Sequence, residues 1–300
     1  MRKSSLLLVC LLILLVILSA CSSSNGSTTP SSSTINVVAA ENFYGDIAKQ
    51  VGGSYVSVTS IISNPNVDPH EYESSVKTAI QVSQAQLVIE NGGGYDDWMD
   101  KLLSGSPNPN RITVNAFNIA PIKLPENEHV WYSVDNAATI AQAIATNLEK
   151  LDPSHKATFE QNLQSFKQSL QPIQQKIAAM KAKYSGTPVG LTETIYLYQT
   201  VPLDLNVLTP FAFQKAMAEG NEPPADTVVT AENQITHHQI KILIYNEQTI
   251  TPSTTKLEND ARAQHIPVVP VSETMPPGKT YQMWMLDQLN VLEQALQSTK

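Results

Sequence analysis

Four side chains of types that ligate transition metals stand at comparable places in the two halves of the chain. They are His70, His129, Glu193 and Glu273. Each glutamate follows a short apolar run that predicts a buried strand, where an ionised carboxylate is costly unless a positive charge lies beside it. Two neutral imidazoles and two carboxylates would form a neutral site around a divalent cation. That donor set is too rich in nitrogen for Ca²⁺ or Mg²⁺ and predicts Mn²⁺, Zn²⁺ or Fe²⁺.

The first histidine lies in a loop that the sequence makes stiff. Residues 64–73 read Asn-Pro-Asn-Val-Asp-Pro-His-Glu-Tyr-Glu and follow a predicted strand at 56–62. Pro65 and Pro69 fix their own φ angles and push the residues before them towards extended conformations. Open α/β sheets build their sites at the carboxyl ends of strands, so the loop predicts a functional position for His70. An exposed turn histidine is the alternative.

The second histidine, His129, stands in a loop before a predicted helix at 136–151, for which Asp135 is the expected cap. A surface or capping histidine is the alternative here. The other four histidines are expected to be exposed and not to ligate; for the adjacent pair His237 and His238 the reason is that neighbours on a helix point about 100° apart and cannot both face one ion. The four residues are His155, His237, His238 and His265.

Alternating strand and helix patterns must position these side chains. Short apolar runs predict strands in both halves of the chain, and most are followed by a stretch with helical periodicity. This alternation predicts an α/β fold with parallel sheets. The predicted strands are 35–40, 56–62, 87–89, 111–116, 188–192, 242–246 and 267–271.

Residues 153–185 predict one long helix between the two halves. Apolar residues recur at spacings of three and four from Phe159 to Met180, and Pro172 is expected to kink the middle. About 30 helical residues span roughly 45 Å, enough to bridge two lobes at 35–152 and 186–300. The alternative is an ordinary amphipathic helix packed on a single domain.

The amino-terminal segment predicts export and lipid attachment. A short basic start and a leucine-rich run are typical of a signal peptide at 1–20, and Leu-Ser-Ala-Cys ending at Cys21 reads as a lipobox. Residues 21–34 are rich in serine and threonine and predict a flexible tether. An uncleaved membrane anchor is the alternative. Cys10 and Cys21 are the two cysteines of the sequence, so no thiol or disulfide chemistry is expected beyond the tether.

The negative net charge of the chain argues against some classes of binding partner. The formal net charge is −8, and it becomes −10 once Arg2 and Lys3 leave with the signal peptide. An acidic chain argues against a nucleic-acid partner and against electrostatic attachment to anionic lipid. The three consecutive glycines at 92–94 lack the G-x-G-x-x-G spacing, so we expect a turn there and not a nucleotide site.

Taken together, these motifs resemble the zinc/manganese-binding substrate-binding lipoproteins of ABC transporters. The motifs are the lipobox, the Asp-Pro-His-Glu-Tyr-Glu loop at 68–73, the His-Val-Trp at 129–131, the long middle helix and the Ser-Glu at 272–273. The resemblance implies two α/β lobes bridged by a single long helix, with a metal ion in the cleft between the lobes. It also implies ligand roles for His70, His129, Glu193 and Glu273.

The same resemblance implies a monomeric, non-enzymatic receptor that is extracytoplasmic and anchored to the bacterial membrane by lipid on Cys21. Such a receptor would deliver its metal to an ABC permease with a cytoplasmic ATPase. Residues 123–128 contain no histidine, unlike the His-rich loop of zinc-specialised members, and glutamate at 193 resembles members associated with manganese. Both features favour Mn²⁺ over Zn²⁺. Candidates to orient the imidazoles are Glu41, Tyr72 and Asn91.

Two other classes of protein are alternatives. A metallohydrolase would keep three protein ligands and an open position for water, whereas four ligands predict a closed binding site. The sequence also lacks H-E-x-x-H and G-x-S-x-G patterns. A lipoprotein adhesin, or a binder of an organic solute such as a siderophore, would favour a cleft richer in aromatic residues than the 6% of this chain.

Overall fold

Two four-stranded parallel sheets organise the chain. The computed structural model describes residues 34–65, 67, 69 and 72–299. The first sheet has the strand order β2-β1-β3-β4 and the second the order β6-β5-β7-β8, so both halves repeat one topology. All pairs are parallel, as the alternation of strands and helices predicts. The strands are β1 Ile35–Glu41, β2 Val56–Ile62, β3 Leu87–Glu90, β4 Ile112–Asn115, β5 Pro188–Leu191, β6 Asn206–Val207, β7 Ile242–Asn246 and β8 Val268–Val271.

Helices make the crossovers that parallel strands require. We call the part from β1 to α5 the N-lobe and the part from β5 to α12 the C-lobe. Apolar clusters lie on both faces of each sheet, which confirms the predicted α/β lobes. The helices are α1 Asn42–Gly52, α2 Val76–Gln84, α3 Asp97–Gly105, α4 Ala116–Ile119, α5 Val134–Leu151, α6 Lys156–Ser169, α7 Gln171–Tyr184, α8 Leu197–Leu203, α9 Phe211–Ala218, α10 Ala225–Thr236, α11 Pro252–Ala263 and α12 Tyr281–Ser298.

The long helix between the lobes is made of α6 and α7, which meet at Leu170. Pro172 is the second residue of α7, where its missing N–H and its ring exclude the bond to the carbonyl four residues earlier. The break at Leu170 therefore lies two residues before the proline. The apolar stripe is buried along both pieces, including Phe159 and Met180, so the joined helix contributes to the core over its whole length.

Two local expectations differ from the structure. Helix α5 is capped by Ser133, whose Oγ accepts the backbone N–H of Asn136 at 3.4 Å, and not by Asp135. Asp135 lies in the first turn, where its negative charge faces the positive end of the helix dipole. His155 is partly buried because its ring stacks on Tyr55 with 3.8 Å between centroids. His237, His238 and His265 are exposed as expected.

Aromatic side chains fill the space between the lobes. The ring of Phe43 from α1 stacks on Trp131 with 4.6 Å between centroids. Tyr132 meets Trp284 from α12 edge to face at 5.7 Å. All four side chains are fully or almost fully buried, so the two lobes share one continuous core.

Several predicted features lie outside the described residues. They are the signal peptide at 1–20, Cys21, the tether up to residue 33, and His70. Across the part of the chain that the structure does describe, no helix combines the length and the apolar character needed to cross a membrane.

Candidate metal centre

His129, Glu193 and Glu273 come together at one buried point. One ligand atom from each residue lies within 4.8 Å of the other two. Their side chains are 0%, 2% and 1% exposed, so each must satisfy its polar atoms inside the protein. His129 belongs to the N-lobe and both glutamates belong to the C-lobe. The centre therefore lies where the two lobes meet.

The topology explains why the two glutamates are neighbours. Glu193 stands two residues after β5 and Glu273 two residues after β8, both at the carboxyl edge of the second sheet. Strand β7 runs between these strands and ends at Asn246. His129 immediately precedes a short 3-10 helix, Val130–Tyr132.

The hydrogen bonds of Asn127 fix the tautomer of His129. Asn127 Nδ2 donates to the carbonyl of Thr194 at 2.8 Å, so its Oδ1 must be the atom that faces the imidazole. The distance from His129 Nδ1 to this Oδ1 is 3.0 Å, and an amide oxygen can only accept. Nδ1 therefore carries the proton, and Nε2 is the nitrogen that can ligate.

Glu273 is held at three points, two on its carboxylate and one on its backbone. Asn246 Nδ2 donates to Oε1 at 2.6 Å, and the hydroxyl of Tyr95 donates to Oε2 at 3.0 Å. Its own backbone N–H donates to Gln248 Oε1 at 2.6 Å. Tyr95 comes from the N-lobe and the other partners come from the C-lobe. Both lobes thus contribute hydrogen bonds that orient this candidate ligand.

Glu193 is less well satisfied. Thr249 Oγ1 donates to Oε2 at 3.2 Å, whereas Oε1 has no hydrogen-bond partner in the described part of the chain. Burial, and then the negative charge of Glu273, raises the pKa of Glu193 well above its ordinary value. A divalent cation would remove both penalties, since it supplies a partner for Oε1 and cancels the repulsion. The donor set therefore fits a metal ion.

Further carboxyl groups surround the centre in the N-lobe. Glu41 is fully buried, neither of its oxygens has a hydrogen-bond partner among the described residues, and burial raises its pKa well above normal. Asp96 accepts the backbone N–H groups of Asn91 and Gly92, and burial raises its pKa to about 6. Buried acids with raised pKa values are more common at functional sites than elsewhere, which supports a functional role for this region.

Three of the four predicted ligands, His129, Glu193 and Glu273, lie together in the structure, but the sequence indicated only part of the side chains that contact them. Asn91 does act on the histidine loop, because its Nδ2 donates to the carbonyl of Glu128 at 3.0 Å. Tyr72 packs on Trp98, with 4.6 Å between ring centroids, in a cluster that does not include His129. The partners that the sequence did not indicate are Tyr95, Asn127, Asn246, Gln248 and Thr249. Asn127 and Thr249 lie within three residues of strand ends or ligands, and this nearness is the signal that could have suggested them.

Glu90 gives the protein a pH-dependent stability that a single substitution should remove. Burial raises its pKa from 4.5 to about 7, partly offset by a hydrogen bond from Asn115. Between these values the folded chain holds a proton that the unfolded chain has lost, so stability falls as pH rises through this window. Relative to wild type, Glu90→Gln should therefore gain about 2 kcal/mol in free energy of unfolding between pH 4.5 and pH 7.5.

Urea unfolding of the metal-free protein at the two pH values measures this difference. Glu73→Gln, at an exposed position, is the control that should track wild type at both. An equal change in all three proteins would contradict the assignment.

A family model described as the zinc-uptake complex component A, periplasmic, matches residues 37–295. The metal ABC transporter substrate-binding lipoprotein ScbA of Streptococcus cristatus is 32% identical over 145 residues, which cover 44% of this chain and 46% of that protein. The manganese ABC transporter substrate-binding lipoprotein ScaA of Streptococcus gordonii matches with the same identity and coverage. The match thus spans about half the length of these relatives.

Solved structures agree on the fold. The periplasmic zinc-binding protein TroA of Treponema pallidum superposes with a TM-score of 0.75 at 18% identity, over 88% of this chain and 99% of that one. A crystal structure of ZnuA gives a TM-score of 0.71 at 19% identity, over 89% of this chain and all of the other. Because the family model covers nearly all of the described residues, the chain belongs to the zinc-uptake complex component A family.

Proposed function

We propose that this protein captures one divalent transition-metal ion as its transport substrate and delivers it to an ABC importer. The observation that carries the proposal is the meeting of one imidazole and two carboxylates, all buried, with Glu193 Oε1 lacking a hydrogen-bond partner in the described chain. Family membership supports a binding component of an uptake complex and not an enzyme. The partners would be a permease and its cytoplasmic ATPase.

We propose His70 as the fourth ligand, from its place in the stiff loop after β2. Two imidazoles and two carboxylates would then close the site around the ion and leave it neutral. Such a closed site suits capture and delivery, since a catalytic metal keeps a position open.

We propose Mn²⁺ as the preferred physiological substrate, with Zn²⁺ and Fe²⁺ as competitors. Two carboxylates make the site harder than a histidine-rich one. The names of similar proteins cover the same range, from the manganese protein of Streptococcus gordonii to the iron-binding protein YfeA of Yersinia pestis, which is 27% identical over 137 residues. The Irving–Williams order still predicts that Zn²⁺ wins at equilibrium in vitro, so supply of the metal would determine what the protein carries.

The protein would act as a monomer outside the cytoplasm, held to the membrane by lipid on Cys21. The lipobox pattern supports this placement, and several relatives are named as lipoproteins. After loss of Arg2 and Lys3 the net charge would be −10, which gives no electrostatic attraction to anionic lipid and favours covalent lipid as the means of attachment.

Metal competition tests the proposal. The body from residue 35 onward would be stripped, offered equimolar Mn²⁺, Zn²⁺ and Fe²⁺, and assayed for bound metal beside His70→Ala and Glu193→Ala. We expect one tightly held ion per wild-type chain, and a loss of affinity above about 100-fold in both variants because each removes a ligand. The controls are His237→Ala and Glu222→Ala at exposed positions. Metal retention that neither ligand substitution affects would refute the site.

A further inference from the structure

The side chain of Gln248 joins loops that belong to different lobes. It follows β7 in the C-lobe, and its Nε2 donates to the backbone carbonyl of Val67 in the N-lobe at 3.1 Å. The same Nε2 donates to Thr274 Oγ1 at 3.1 Å. Its Oε1 accepts the backbone N–H of Glu273 at 2.6 Å and that of Thr274 at 3.3 Å. Two N–H groups on one side and a carbonyl on the other fix the orientation of the amide.

Both ends of the Gln248 amide contact residues that are, or are close in sequence to, the proposed metal ligands. Glu273 is the acidic ligand after β8, and Val67 stands three residues before His70 in the sequence. Gln248 is half-buried and lines a cavity of about 480 Å³ together with Pro65 from the N-lobe loop. Its hydrogen bonds reach backbone groups and Thr274, whereas Tyr95 and Asn127 contact ligand side chains directly.

We propose that Gln248 is a positioning residue that links the two ligand-bearing loops and sets the rate of metal release. The inference rests on the proposed function, because it concerns the retention of the captured ion. Gln248 holds the backbone of Glu273 with one end of its amide and the N-lobe loop with the other. A change in either loop is thereby transmitted to the opposite lobe.

The hydrogen bonds of Gln248 should affect the release of the metal ion and its capture differently. An ion held by ligands from both lobes leaves only after one of them withdraws, and the Gln248 amide opposes that withdrawal. On this proposal the ion enters while the loops are apart, and the bond between Gln248 and Val67 forms only as they come together. Loss of the bond should therefore change the dissociation rate much more than the association rate.

Two substitutions separate the two ends of the amide. Gln248→Glu keeps an oxygen for the N–H groups of Glu273 and Thr274, but it removes the donor and places a negative charge against the Val67 carbonyl. Gln248→Ala removes both the donor and the acceptor of the amide. Gln239→Glu carries the same change of charge at an exposed position of the same lobe and is the matched control. The probe is Mn²⁺, loaded on each protein and released into excess chelator.

We expect Gln248→Glu to release Mn²⁺ about tenfold faster than Gln239→Glu, since the hydrogen bonds donated to Val67 and Thr274 are lost and a repulsion is added. Association rates of the two should agree to about twofold. In the metal-free proteins, hydrogen exchange at the Glu273 amide should accelerate in Gln248→Ala and stay slow in Gln248→Glu, because only the latter keeps the acceptor.

The outcomes distinguish the inference from the function on which it rests. Equal release rates in Gln248→Glu and Gln239→Glu, with wild type loaded normally, would overturn the inference alone. A slower association with unchanged release would overturn it as well. A wild type that holds no Mn²⁺, Zn²⁺ or Fe²⁺ would overturn both the inference and the proposed function. The exchange measurement needs no metal, and equal protection in all variants would also count against Gln248.

Discussion

Replacing Glu193 by glutamine should abolish tight metal binding and, in the same molecule, stabilise the metal-free protein. The carboxylate is buried beside Glu273, and both burial and that neighbour raise its pKa. The metal-free fold therefore carries a cost at neutral pH that a neutral amide avoids, about 1–3 kcal/mol. The metal complex instead loses an anionic ligand, so we expect affinity to fall by more than about 100-fold.

Thermal unfolding with and without metal measures both effects. At pH 7.5, metal-free Glu193→Gln should melt above metal-free wild type, and added Mn²⁺ should raise only the wild-type midpoint. At about pH 4.5 the advantage of the variant should shrink, because wild-type Glu193 is then protonated in the folded state. Glu222→Gln is the exposed control. A variant that is less stable than wild type without metal and still binds metal would contradict this account of the site.

Metal addition should give the largest stabilisation of the wild-type protein. An ion that binds only the folded state at 1,000 times its dissociation constant contributes about 4 kcal/mol. For a chain of this size that corresponds to an increase in melting temperature of roughly 10 °C. The stabilisation should decline as pH falls, because protons compete with the metal for the imidazoles and carboxylates.

Differential scanning calorimetry with Mn²⁺, with Zn²⁺ and after chelation tests this expectation. Mg²⁺ should have little effect, since a compact site with imidazole ligands suits it poorly. His129→Ala should show no metal-dependent increase. A wild-type midpoint that none of the transition metals changes would refute the metal site.

Much of the fold could be predicted because most strands and helices have a recognisable pattern of apolar residues within their own segment. Strand β7 is a compact apolar run, β2 alternates apolar and polar residues at its start, and the stripe of α6 and α7 follows helical spacing. Strand β6 has only two residues, too few to show any periodicity, so it could not be predicted. Ser133 and Asp135 are both good cap residues, and only the packed chain decides between them.

The candidate metal site was also predicted only in part. His129 and Glu193 were recognisable because each stands on a loop or at a strand end, where ligands concentrate. Tyr95 and Gln248 were not, because their partners lie 178 and 181 residues away in the sequence. A tyrosine and a glutamine carry no local sign of a distant carboxylate or carbonyl. Such supporting contacts emerge only when the two lobes are placed together.

The packing of Trp131 has an optical consequence. Its ring centroid lies 5.2 Å from that of the His129 imidazole and 4.6 Å from that of Tyr95, inside the aromatic layer between the lobes. An ion on His129 would sit close to a buried indole whose fluorescence is shielded from solvent. Open-shell ions such as Mn²⁺ quench a nearby indole, whereas the filled d shell of Zn²⁺ offers no such path. Binding of Mn²⁺ would therefore lower the emission of Trp131, whereas binding of Zn²⁺ would not.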